Sequence, residues 1–122
     1  VSERVLRAIR GAITVHEDTP EDIGDATAEL VEAILGRNAL EHDDIVSIIF
    51  TATPDLTAEF PAAAARRVGL ENVPLICAQE IPVAGAMPRC IRAMVHCYAP
   101  PGRLVRHVYL RDARQLRLDL PE

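Results

Sequence analysis

Three patterns in the sequence predict an α+β fold of about five strands with one long and one short helix. Strand-type alternation recurs in separate stretches at 5–15 and 90–98, and a β-branched apolar run fills 45–52. A single capped stretch of helical spacing follows Thr19, and prolines with glycines break up the rest. One helix and one further helical turn cannot cover both faces of such a sheet. Its other face, carrying Ile, Val, Cys and Met, is therefore expected to pack on further copies of the chain in a ring-shaped homo-oligomer.

Taken in order, Val5 to Val15 reads as a strand with Val5, Arg7, Ile9, Gly11 and Ile13 on one face and Leu6, Ala8, Arg10, Ala12 and Thr14 on the other. Arg10 stands among small residues with room to lie across a concave surface, and Gly11 admits a ligand or another backbone. An edge-strand charge that blocks aggregation is the plainer reading of Arg10. Thr19-Pro20-Glu21-Asp22 starts a helix, with Thr as N-cap, Pro in the first position and acids in the first turn. Ile23, Ala26, Leu30, Ala33 and Ile34 form its apolar stripe, and Gly36 with Asn38 supplies the stop. Glu41 to Asp44 reads as a solvated acidic turn, and Ile45 to Ala52 as a buried strand.

The loop from Thr53 runs to Pro61, which opens a short helix ending near Gly69. Phe60 sits on that loop outside any periodic pattern, where a core plug is the ordinary use of a Phe. Leu75 to Cys77 reads as another buried strand, and Cys90 to Tyr98 as an alternating one. Pro100-Pro101-Gly102 then suggests a hairpin whose returning strand is Arg106 to Leu110, with a short tail from about 112. The whole chain, 1–122, is expected to form one domain.

Composition removes several chemistries. All 13 basic residues are Arg, and the absence of Lys excludes Schiff-base chemistry and a P-loop lysine. A net charge of -5 with 3% aromatic residues argues against a nucleic-acid partner, and no apolar run approaches the roughly 18 residues of a membrane span. With no signal-peptide pattern, the cytoplasm is the expected location. Cys77, Cys90 and Cys97 contain no C-x-x-C pair, and His16, His42, His96 and His107 lack zinc-ligand spacing, so neither metal nor cofactor is expected. Arg offers planar, bidentate donors that match carboxylates. Within 73–92, Glu80 leaves one apolar strand and Arg92 enters the next, with Pro82, Gly85 and Pro88 forcing a turn between them. Such a pair can face each other across a pocket for a ligand bearing hydroxyl and carboxylate groups.

Four blocks in register resemble the AroH-class chorismate mutases. They are Arg-Gly-Ala-Ile-Thr-Val at 10–15 with Asp18-Thr19, Thr-Ala-Thr-Pro-Asp-Leu at 51–56 leading to Phe60-Pro61-Ala62, Pro74 through Glu80, and Arg-His-Val-Tyr-Leu at 106–110. The resemblance implies a five-stranded mixed sheet, assembly as a pseudo-barrel homotrimer with active sites at subunit clefts, and conversion of chorismate to prephenate without a cofactor. It also implies roles. Arg10 would bind a substrate carboxylate, Arg92 would reach the ether oxygen and a carboxylate, and Glu80 would accept from the ring hydroxyl, with Cys77 beside it. Tyr109 would donate to a carboxylate. Phe60, Ala62, Leu75 and Ile76 would line the cleft from a neighbouring subunit, with Arg66 and Arg117 near its mouth. Ala63 and Ile76 depart from a charged residue and a Thr found in some members. The rival readings are an imine deaminase of the RidA type, for which no carboxylate-binding motif is visible, and a non-catalytic small-molecule sensor on the same cleft.

Overall fold

The computed structural model describes residues 3–119, so Leu120, Pro121 and Glu122 of the expected tail lie outside the described residues. Five strands form one mixed sheet: β1 (Val5–Thr14), β2 (Ile45–Ala52), β3 (Leu75–Gln79), β4 (Cys90–Ala99) and β5 (Val108–Leu110). Their order across the sheet is β3-β2-β4-β1-β5. β4 runs antiparallel to both β1 and β2, while β3 pairs parallel with β2 and β5 parallel with β1. The long helix α1 (Pro20–Arg37) and the short α2 (Pro61–Arg67) complete the α+β architecture expected from the sequence.

α1 forms where its signals stand. The Asp22 N–H donates to Thr19 Oγ1 at 3.1 Å, and Asn38 is the C-cap. Ile23, Leu30, Val31 and Ile34 are fully buried and pack with Ile9, Ile13, Ile48, Phe50, Ile91 and Val95 of the sheet into one core. Gly11 lies under this helix. A Cβ there would meet Ile34 Cδ1 and the Val108 carbonyl oxygen at 2.9 Å, so the missing side chain permits the close approach of α1 and β5.

Several expectations need correction. No hairpin joins β4 to Arg106–Leu110, because both edges of β4 are already taken by β1 and β2. The chain after Ala99 instead crosses the end of α1, where Arg103 Nη1 donates to the Asn38 carbonyl at 3.2 Å, and β5 joins the outer edge of β1 over only three residues. β1 is thereby an interior strand over Gly11–Ile13, and Arg10 lies one residue before that pairing. β3 is an edge strand with Ile76 61% exposed, and in β2 Ile49 is 40% exposed between buried Ile48 and Phe50. The acidic turn, a 3-10 turn at His42–Asp44, has no buried residue, as its solvated reading expected, and its Asp44 bonds Arg4 and the Glu41 amide. The start of the tail is a 3-10 helix, Arg111–Leu116, which docks Ala113 and Leu116 against Ala12, Cys90 and Tyr109. That small cluster covers one corner of the sheet face opposite the helices and leaves the rest of the face open.

Gly11→Ala should destabilise the fold by about 1–3 kcal/mol, since the added methyl presses on a backbone oxygen as well as on Ile34 and Leu30. Urea unfolding that gives the parental midpoint would contradict this packing.

Candidate active site

Strand register sets one row of side chains across the open face. Tyr109, Ala12, Arg92, Thr51 and Ala78 are successive partners on the five strands, and Arg10, Met94, Ile49 and Ile76 form the next row on four of them. Arg92 is thus flanked by the small residues Ala12 and Thr51, and Arg10 is its diagonal neighbour. Arg10, Ile49, Thr51, Arg92, Met94 and Tyr109 line a hollow of about 490 Å3.

Glu80 enters from the edge. Its N–H donates to the Ala52 carbonyl at 2.9 Å, extending the pairing of β3 with β2 by one residue and setting its side chain beside Thr51. Glu80 Oε2 accepts from Thr51 Oγ1 at 2.7 Å and from Arg92 Nε at 3.0 Å. The sequence suggested that carboxylate and guanidinium face each other across a pocket; they are in direct contact, and the hollow opens beside the pair. Only Nε of Arg92 is committed, so among the described residues its two terminal nitrogens make no hydrogen bond. The Arg10 guanidinium likewise has no hydrogen-bond or ion-pair partner among them. Two cations line the hollow, with one carboxylate bound to Arg92 beside it, which gives a positive balance inside a chain of net charge -5.

The surrounding turns hold these strands in place. Thr53 Oγ1 donates to Asp55 Oδ1 at 2.6 Å and accepts from the Cys90 N–H at 3.0 Å, while Asp55 Oδ2 accepts from the Arg89 N–H at 2.9 Å. The end of β2 and the start of β4 are so pinned together two residues from Thr51 and Arg92. Asp18 accepts from the Thr57 and Ala58 amides at 2.9 and 3.0 Å and from the Thr57 hydroxyl; desolvation, the largest single influence, raises its pKa, but the three bonds together outweigh it and lower the pKa. This clamp fixes the loop that carries Phe60. Beneath Tyr109, burial pushes the Cys90 thiol up to about 11. Arg117 lies 5.8 Å from the Tyr109 ring centre and forks onto Asp119 with two bonds of 3.0 Å.

The other predicted residues fall elsewhere. Phe60 is 71% exposed, hence no core plug, and with Leu56, Thr57, Pro61, Cys77 and Gln79 it lines a second hollow of about 330 Å3. Alternation along β3 turns Cys77 toward the helix side, opposite Ile76 and Ala78 and away from the open-face pair of Glu80 and Arg92. Leu75 and Ala62 pack against the core, Arg66 is exposed on α2, and Ile76 lies on the open face. One chain therefore gathers Arg10, Glu80, Arg92, Tyr109 and Arg117 at one place and Phe60 with Cys77 at another. Thr51 was missed because a hydroxyl on a strand carries no signal until its cross-strand partner is known.

A five-stranded sheet with helices on one face, and on the other a hollow where arginines outnumber carboxylates, defines a small α+β protein suited to an anionic small molecule. The chorismate mutase type I family model matches residues 6–120, and the chain belongs to that family. It is 51% identical to the chorismate mutase AroH of Thermus thermophilus over 119 residues, 95% of this chain and 97% of that one. It is 43% identical to the chorismate mutase AroH of Bacillus subtilis (strain 168), covering 95% and 93%. A solved chorismate mutase from Clostridium thermocellum superposes with a TM-score of 0.84 at 44% identity, over 89% of this chain and 98% of that one.

Alkylation at pH 8 should leave Cys90 unmodified in the native protein and reach it only after unfolding, because the thiol is buried and far from its thiolate. Peptide mapping that finds Cys90 labelled in native protein would contradict the small cluster described here.

Proposed function

We propose that the protein is a chorismate mutase, an isomerase that converts chorismate to prephenate for aromatic amino-acid biosynthesis. The observation that carries this reading is the Arg92–Glu80 pair at 3.0 Å on the rim of a positively balanced hollow, in a chain of the chorismate mutase type I family. The reaction is an intramolecular rearrangement in which a C–O bond breaks while a C–C bond forms. It needs no nucleophile and no proton carrier. The protein has to hold the compact chair conformer and stabilise the negative charge growing on the ether oxygen.

Each side chain has a part in this. Arg92 is always ionised and anchored through Nε, so its terminal nitrogens are the donors for the ether oxygen and a carboxylate. Because that interaction strengthens as the bond breaks, it acts on turnover and not merely on binding. Arg10 takes a substrate carboxylate, Tyr109 donates to one, and Glu80 accepts from the ring hydroxyl through the oxygen lone pairs that Thr51 and Arg92 leave over. Arg117 stands at the mouth against Tyr109.

The complete cleft is assembled between subunits of a homotrimer. The open sheet face leaves Leu6, Ile49, Ile76 and Tyr98 between 40 and 61% exposed, more apolar surface than one chain has any means to cover. Packing that face on further copies brings the hollow holding Phe60 and Cys77 of one subunit to the Arg92 hollow of the next. Ala62, Arg66, Leu75 and Ile76 join the cleft wall from that neighbour. The described residues contain no helix long and apolar enough to cross a membrane, and we place the enzyme in the cytoplasm with no membrane or nucleic-acid partner. Residues 1–122 act as the single catalytic domain.

Mixing the pure protein with chorismate should consume its absorbance, whereas a sensor would bind without consuming it. Arg92→Lys keeps the charge but loses the fork, and should bind chorismate while its turnover falls about a hundredfold to a thousandfold. A near-normal kcat in that variant would remove Arg92 from its role. Sedimentation equilibrium should give three times the chain mass of 13.3 kDa; a monomer that still turns over chorismate would show that the cleft needs no neighbour.

A further inference from the structure

His107 stands where the pairing of β5 with β1 ought to begin. That ladder matches Gly11 with Val108, Ala12 with Tyr109 and Ile13 with Leu110, and the residue before it, Arg10, finds no carbonyl on β5. Its N–H donates instead to His107 Nδ1 at 3.0 Å. A backbone N–H can only donate, so Nδ1 must carry a lone pair and the ring must be neutral. The surroundings favour that state, since burial and then the cations Arg117 and Arg10 lower the pKa of His107 below the ordinary histidine value.

The backbone just before His107 is held by the end of α1. Asn38 is 4% exposed and has both ends of its amide engaged. Its Nδ2 donates to the Ile34 and Arg106 carbonyls, each at 2.9 Å, and its Oδ1 accepts from the Arg106 N–H at 2.7 Å. The backbone of residue 106 is thereby fixed to the helix terminus, and His107 follows it directly. The helix cap thus holds Arg106, and the next residue, His107, holds the backbone of Arg10, whose guanidinium has no hydrogen-bond or ion-pair partner among the described residues.

We infer that His107 is a positioning residue for Arg10, its neutral ring standing in for the missing strand acceptor and its segment held by Asn38. This rests on the reading of Arg10 as the group that takes a substrate carboxylate. Fixing the backbone beneath a long, otherwise unsupported side chain narrows where its charge can sit, and that lowers the ordering needed when the carboxylate arrives.

The test compares His107→Phe, which keeps a ring and removes the acceptor, with His107→Asn, whose amide oxygen replaces Nδ1. In the free protein, NMR hydrogen exchange of the Arg10 amide should quicken about tenfold in His107→Phe and return toward the parental rate in His107→Asn. With chorismate as substrate, KM should rise about tenfold in His107→Phe with kcat nearly unchanged, the split expected when binding alone is loosened, and His107→Asn should restore it. If His107→Phe does not fold, His107→Leu, smaller and equally without an acceptor, takes its place. Parental exchange and parental KM in the variant without an acceptor overturn the inference, as does a defect that His107→Asn fails to repair. Arg10→Ala, measured alongside, tests the underlying reading separately: an unchanged KM there refutes the role of Arg10, while the exchange data still decide whether His107 holds its backbone.

Discussion

The site depends on one shared oxygen. Glu80 Oε2 accepts from both Thr51 Oγ1 and Arg92 Nε, so the carboxylate is held by one strand and in turn holds the guanidinium carried by another. As a contribution to stability such a pair is small, because Arg92 keeps 37% and Glu80 17% of the side-chain surface exposed. As a geometric constraint it is larger. Engaging Nε fixes the plane of the guanidinium and leaves its terminal nitrogens as a preorganised fork, which a lysine ammonium cannot reproduce.

Much of the fold can be understood as keeping that fork in place. Its flanking positions on the neighbouring strands are Ala12 and Thr51, too small to crowd it. The Thr53–Asp55 turn ties the two strands that carry Thr51 and Arg92 at their adjoining ends. Tyr109 is supported from beneath by Cys90, Ala113 and Leu116, where the buried thiol serves as an inert filler. α1 and α2 pack only on the opposite face, close enough at Gly11 to admit no methyl group, and this leaves most of the Arg92 face open.

What was legible in the sequence was what is local. Thr19-Pro20 and Asn38 bound the long helix because capping involves neighbours a few residues apart, and the alternation of β1 and β4 is a property of each strand alone. The uncovered face followed from counting helices. Pairing was not legible: nothing near Arg106–Leu110 reveals that β4 already has two partners, and nothing in Leu75-Ile76-Cys77 distinguishes an edge strand from an interior one. The same limit applies within the site. Arg10, Glu80 and Arg92 could be singled out by type and by family resemblance, whereas the direct contact of the latter two, the part of Thr51, the turning of Cys77 to the opposite face and the bond of His107 to Arg10 all arise from residues distant in the chain meeting across the sheet.

A crystal structure of the protein with a bicyclic ether dicarboxylate that mimics the rearranging chorismate tests the central claim most directly. This account predicts the ether oxygen within hydrogen-bond distance of a terminal nitrogen of Arg92, with Nε still on Glu80. A ligand seated away from Arg92, or an Arg92 that leaves Glu80 to meet it, would contradict the account.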